Sequence, residues 1–257
     1  MTSGKRARAQ RQAAGQRRPA SRKGAGAGRR RRELWWAAAA VVVTGLAVGL
    51  GVGLAGSGPT PAHRRLASIT TLGHLVAPGP PGPDGPEGVP VPPAPVLATT
   101  ADDVTGQAAD GISCDTSEQV VFHIHTHLTI FDDGQARQVP DGIGIVPPRQ
   151  VQHSPEGPFV TGGRCFYWLH THAADGIIHI ESPIQRAFTL GDFFAIWGQP
   201  LGPDQAGPAT GKVTAFYDGK VYLGNPSDIP LGDHVQVQLD IGRPLVAPET
   251  MSFPTGI

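Results

Sequence analysis

Six histidines fall in two short runs, and imidazole at that density is the chemistry of transition-metal ligation. The first run is HIHTH, with His123, His125 and His127. The second is LHTHAADGIIHIE, with His170, His172 and His179, and Glu181 two positions further on. Neutral imidazole suits zinc, copper, iron and nickel, and three such nitrogens with one open position describe a catalytic zinc centre. Affinity order alone favours Cu(II) over Zn(II), so copper and zinc are the expected ions and the sequence does not choose between them. One histidine on a strand is ordinarily a hydrogen-bonded or exposed residue. Two HxH elements and a third histidine are harder to set aside, because Thr, Ser or Lys would serve as well in an idle polar row. Glu181 could ligate, orient a ligating imidazole or act as a general base; the orienting part is the expected one, and Glu181 is also the candidate catalytic group. Asp175 reads as a turn residue. His153 and His234 read as structural, with His234 the better reserve ligand.

Such ligands need elements that aim them together. From Val120 to Phe131 the sequence alternates, and Val121, His123, His125, His127, Thr129 and Phe131 share one strand face. Alternate residues on a strand are about 7 Å apart, so the three imidazoles form a row. Asp133-Gly134 offers a hairpin turn into Gln135–Val139. Cys165–His172 and Ile177–Glu181 flank Ala173–Gly176 as a second hairpin. One register sets His172 opposite His179 and His170 opposite Glu181; another sets His170 opposite His179. Either brings three imidazoles and a carboxylate within cross-strand reach. Val213–Tyr217 with Lys220–Leu223 makes a third hairpin, and Val235–Ile241 a last half-buried strand. Thr189–Asp192 resembles a capping box for a short helix carrying Phe193, Phe194, Ile196 and Trp197, stopped by Gly198 and Pro200. The predicted fold class is mostly β, antiparallel hairpins with one short helix, in a single domain over residues 111–243.

Cys114 and Cys165 are the only cysteines. In an oxidising compartment a pair reads as a disulfide, here closing a loop of about 50 residues for roughly 4 kcal/mol in the chain-entropy picture. A blue-copper thiolate would need a Cys among the ligands and usually an axial Met. Neither histidine run contains a Cys, and Met251 lies in the C-terminal tail, 244–257. The bridge would tie the two histidine-bearing strands together.

The formal net charge of zero hides a strong asymmetry. Residues 1–32 carry twelve Lys/Arg and no acid; beyond Glu33 there are nine basic and twenty acidic residues, a net charge of −11. Between the basic tail (1–33) and the acidic body, Leu34–Ala55 has no charged residue. About 20 apolar residues span a bilayer as a helix, and Trp35 and Trp36 stand where amphipathic rings favour the headgroups. Arg29–Arg32 precede the run, which sets the N-terminus in the cytoplasm and the remainder outside. A cleaved signal peptide, including a twin-arginine one, is the competing reading, but secretory apolar cores run only about 7–15 residues. The basic tail suits anionic lipid headgroups better than nucleic acid. Residues 56–110 include GPPGPDGPEGVP and show no apolar period; a Pro-rich stretch of this kind is expected as a semi-rigid stalk.

Over Cys114–Gly242 the chain resembles a set of uncharacterised bacterial and archaeal membrane-anchored His-rich proteins. The motifs that carry the likeness are HIHTHL, VPDGIGI, CFYWLHTHAADGIIHIESP and FTLGDFFAIWGQPL. That resemblance implies no established activity. YWLHTH, Tyr167–His172, is also similar to a copper motif of multicopper oxidases, although the HCHxxxH segment of that family is missing.

Together these features predict a membrane-anchored extracytoplasmic protein that captures or delivers copper or zinc through His123, His125, His127, His170, His172 and His179. The alternatives are a metalloenzyme at the same site, performing hydration, hydrolysis or O₂ chemistry with Glu181 or Asp175 moving protons, and a surface interaction module without metal.

Overall fold

A computed structural model describes residues 65–257. The expected basic tail and the apolar run 34–55 lie outside these residues. Among the described residues no helix is long and apolar enough to cross a membrane.

The alternating segments assemble into one eight-stranded sheet. Its strands are β1 (Leu66–Ala67), β2 (Phe122–Asp132), β3 (Gln135–Arg137), β4 (Leu169–His170), β5 (Ile177–Ser182), β6 (Val213–Tyr217), β7 (Lys220–Tyr222) and β8 (Val235–Ile241). They run in the order β1-β7-β6-β8-β2-β5-β4, with β3 paired to the far end of β2. Every pairing is antiparallel except that of β2 with β8. The predicted mostly-β class with hairpins and one short helix is therefore what forms.

Alternation divides the sheet into two faces. Leu128 and Ile130 of β2, Ile178 and Ile180 of β5, and Val237 and Leu239 of β8 point into the main hydrophobic cluster. Helix α1 (Leu190–Ile196) adds Phe193 and Phe194, and Trp197 follows at its C-cap. The capping box is complete: Thr189 Oγ1 accepts from Asp192 N, and the Asp192 carboxylate accepts from Thr189 N. The other face carries His123, His125 and His127 on β2, His179 and Glu181 on β5, and Gln236, Gln238 and Asp240 on β8.

Two segments expected outside the domain pack against the sheet. The described part of the predicted stalk packs on the sheet, with Val89 and Leu97 buried. Prolines lack an N–H but keep their carbonyls: Pro92 O accepts from Gln138 Nε2 and Pro95 O from Gln138 N. Further along, Trp197 Nε1 donates to Thr99 O, and Tyr167 Oη is held by Gln107 O and Gly106 N. The C-terminal segment lies alongside. Val246 N donates to Asp240 Oδ2, Met251 N donates to Gln236 Oε1, and Val76 bridges Val246. Both segments belong to the domain: the C-terminal one satisfies Gln236, Gln238 and Asp240 of the polar face, and the other reaches that face through Glu87 and the main hydrophobic cluster through Leu97.

Two further departures bear on the site. The expected strand Cys165–His172 is broken at Trp168. Phe166–Tyr167 pairs with Cys114–Asp115, while β4 pairs with β5, and the Trp168 carbonyl between them accepts from Glu181 N. Around His153 the chain forms a hairpin, Gln150–Ser154 with Gly157–Gly162, on which His153 is exposed. Cys114 and Cys165 form the predicted disulfide, with Cα atoms 5.5 Å apart.

Candidate metal centre

Pairing register brings the two histidine runs onto adjacent strands. β5 lies between β2 and β4, with His125 opposite His179, His123 opposite Glu181, and His179 also opposite His170. Of the two registers the sequence allows, the one pairing His170 with His179 is adopted. The turn before β5 is set by Gly176, whose φ is +88° and whose missing side chain leaves room for the Leu128 carbonyl and the His127 ring. Leu128 N donates to Gly176 O and seats the hairpin on β2.

The ring atoms then converge. His123 Nε2 is 3.1 Å from His125 Nε2, which is 3.2 Å from His179 Nδ1. That nitrogen is 3.5 Å from Glu181 Oε1, which returns to His123 Nε2 at 3.1 Å. These four donors form a closed ring. Neighbouring ligands on one ion with bonds of 2.0–2.1 Å stand about 2.9 Å apart at right angles and about 3.4 Å apart at the tetrahedral angle, and every side of the ring is close to that range. Beside it, His170 Nε2 and His172 Nε2 face each other at 3.2 Å.

Hydrogen bonds decide which nitrogens are bare. A carbonyl only accepts, so His170 Nδ1 donates to Tyr167 O at 2.9 Å and His172 Nδ1 donates to Val160 O at 2.6 Å. The neutral rings are thereby left with unprotonated Nε2 atoms. His179 Nε2 lies 2.7 Å from Glu87 Oε1, so Nδ1 is the nitrogen turned toward the ring. His127 is placed differently: its Nε2 donates to Asp175 O at 2.9 Å and it joins neither group of convergent donors. His234 is exposed and bonded to Ile257 O, and its backbone N–H donates to His125 O.

Burial governs the charge states. His170 is held well below the ordinary histidine value by burial and by the neighbouring imidazoles. Burial and neighbouring imidazoles likewise lower His172 and take His125 down to about 3, and burial alone takes His127 down to about 4. His179 goes the other way: burial opposes its charge, but Glu181 and Glu87 on either side outweigh that and raise it to about 9. Burial pushes Glu181 up, yet its hydrogen bond from His179 and the nearby imidazoles bring it below the usual carboxylate range. Asp175 is raised to about 8 by burial and by the Glu87 carboxylate. Only His123 reaches solvent appreciably, its side chain 38% exposed against 8% for His179.

The structure thus unites five of the six predicted histidines with Glu181 in buried groups that could hold a metal ion. It also brings in residues the sequence reading passed over. Glu87 sits in the expected stalk, presented by a turn in which Gly88 N donates to Gly85 O. Glu118, before β2, reaches to 3.6 Å of His172 Nε2. The PEG run announces a turn, but nothing local to Glu87 announces a partner 92 positions away. Comparison with protein-family models, curated proteins and solved structures finds no match to this chain.

Proposed function

We propose that this chain is a membrane-anchored extracytoplasmic protein that captures or delivers a transition metal, copper or zinc, through strand-borne histidines. The observation that carries this reading is the closed ring of His123 Nε2, His125 Nε2, His179 Nδ1 and Glu181 Oε1, with sides of 3.1–3.5 Å. Three ring nitrogens at those separations match ligands around one cation, with the Glu181 carboxylate beside them, and the bond between Glu87 and His179 is the carboxylate–imidazole arrangement that orients a ligand. Exposure confined to His123 supports exchange of an ion at one edge of a buried site. The anchor rests on the uncharged run Leu34–Ala55 behind a basic flank. Membrane lipid is the partner this implies.

The test is metal analysis of the detergent-extracted full chain after desalting. Zinc or copper should be retained by the wild type at one or more equivalents and fall by about one equivalent in His125→Ala and His179→Ala. A folded wild type that retains neither metal after incubation with each would sink the reading.

A further inference from the structure

The ring leaves two imidazoles unexplained. His170 and His172 are both buried, with 0% and 5% exposure, and their rings are packed against Phe166 and Phe159. Their Nδ1 atoms are committed to backbone carbonyls, so two unprotonated nitrogens point at each other across 3.2 Å. Neutral acceptors at that distance repel, and among the described residues no donor is bonded to either. A cation between them would.

The convergent donors form two sets, each mutually within 4.8 Å: His123, His125 and His179 in one, and His170, His172, His179 and Glu181 in the other. Two ligands of one ion with bonds of 2.0–2.1 Å are at most about 4.2 Å apart, so a single ion does not serve both sets. His179 and Glu181 link the sets. His179 has its Nε2 on Glu87, whereas Glu181 has Oε1 in the ring and Oε2 buried without a partner. Glu87 Oε2 and Asp175 Oδ2 are also buried and unpartnered.

From this geometry we infer that the centre is dinuclear. One ion takes the His123–His125–His179 ring and the other takes His170 and His172, with Glu181 bridging the two and Glu118 closing the second site at the rim. Carboxylate-bridged ions of this kind stand roughly 3.5–4 Å apart. The inference rests on the metal-binding reading above and adds the second ion.

The experiment loads the detergent-extracted full chain with Cu²⁺, removes excess, and reads the copper-to-protein ratio together with the electron paramagnetic resonance spectrum. Two equivalents with an exchange-coupled pair are expected. His170→Ala/His172→Ala should retain one equivalent and show the spectrum of an isolated ion, as should His123→Ala/His125→Ala. One uncoupled equivalent in the wild type would overturn the second ion and leave metal binding intact. No copper at all, with Zn²⁺ equally unbound, would remove both. If either double variant lost all copper while keeping its circular dichroism, the sites would not be separate and the inference would fall. The wild-type spectrum decides the question even if a variant does not fold.

Discussion

His179 divides its two nitrogens between Glu87 and the donor ring, and that division gives the Glu87 contact its meaning. With Nε2 donating to Glu87 Oε1 at 2.7 Å, the ring orientation and the direction in which Nδ1 points are both fixed. Losing such an orienting partner typically costs 10–100-fold in metal affinity. Glu87→Gln should therefore weaken zinc binding by roughly that factor in a chelator competition, with the urea midpoint little changed. A Glu87→Gln chain with wild-type affinity would show that the contact is only packing. A second residue-scale effect concerns Asp240, whose carboxyl accepts from Val246 N and Gln238 Nε2. Burial outweighs those bonds and raises it from 3.8 to about 6. The folded state then binds more protons than the unfolded state between those values, so this group's contribution to stability declines as pH rises through that window. Asp240→Asn should flatten that decline in urea titrations run from about pH 4 to pH 6.

At the scale of elements, local rules carried far and stopped where neighbours are remote. Alternation in Val120–Phe131, the Thr189–Asp192 cap and the Asp218-Gly219 turn were legible because each acts over a few residues. Thr189→Ala removes the bond from Asp192 N and should cost about 1 kcal/mol, read as a lower urea midpoint with metal stoichiometry unchanged. The convergence of His125 and His179 was legible only as a set of registers, since one strand's period does not name its neighbour. The break at Trp168 was not legible: its carbonyl is taken by Glu181 N and its indole by Asp115, partners in other strands. Nor was the Gln150–Gly162 hairpin, whose Val160 carbonyl fixes the His172 tautomer.

At the scale of the whole molecule, the composition of residues 56–110 misleads for a physical reason. Proline and glycine remove periodic apolar signals, yet a proline-rich chain can still offer carbonyls and ring surface to a polar sheet. A fragment beginning at Gly111 would lack Glu87, Val89, Leu97 and the Thr99 carbonyl that receives Trp197. It should be less stable than one beginning at Gly56 by several kcal/mol, given about 1–3 kcal/mol for each buried partner left unpaired, and should bind zinc more weakly. Equal melting temperatures and zinc affinities for the two fragments would return the segment to the role of a spacer.

The parallel pairing of β2 with β8 has a consequence in time. β2 holds His123 and His125, but the strand that flanks it on one side is the last of the domain, over a hundred positions later. Closing so long a loop costs chain entropy before any contact repays it. A chain emerging from its N-terminus has every imidazole of the centre in hand, the last at His179, well before β2 has both neighbours. The centre is therefore a late product of folding, and an ion offered to the nascent chain would meet histidines that are present but not yet assembled.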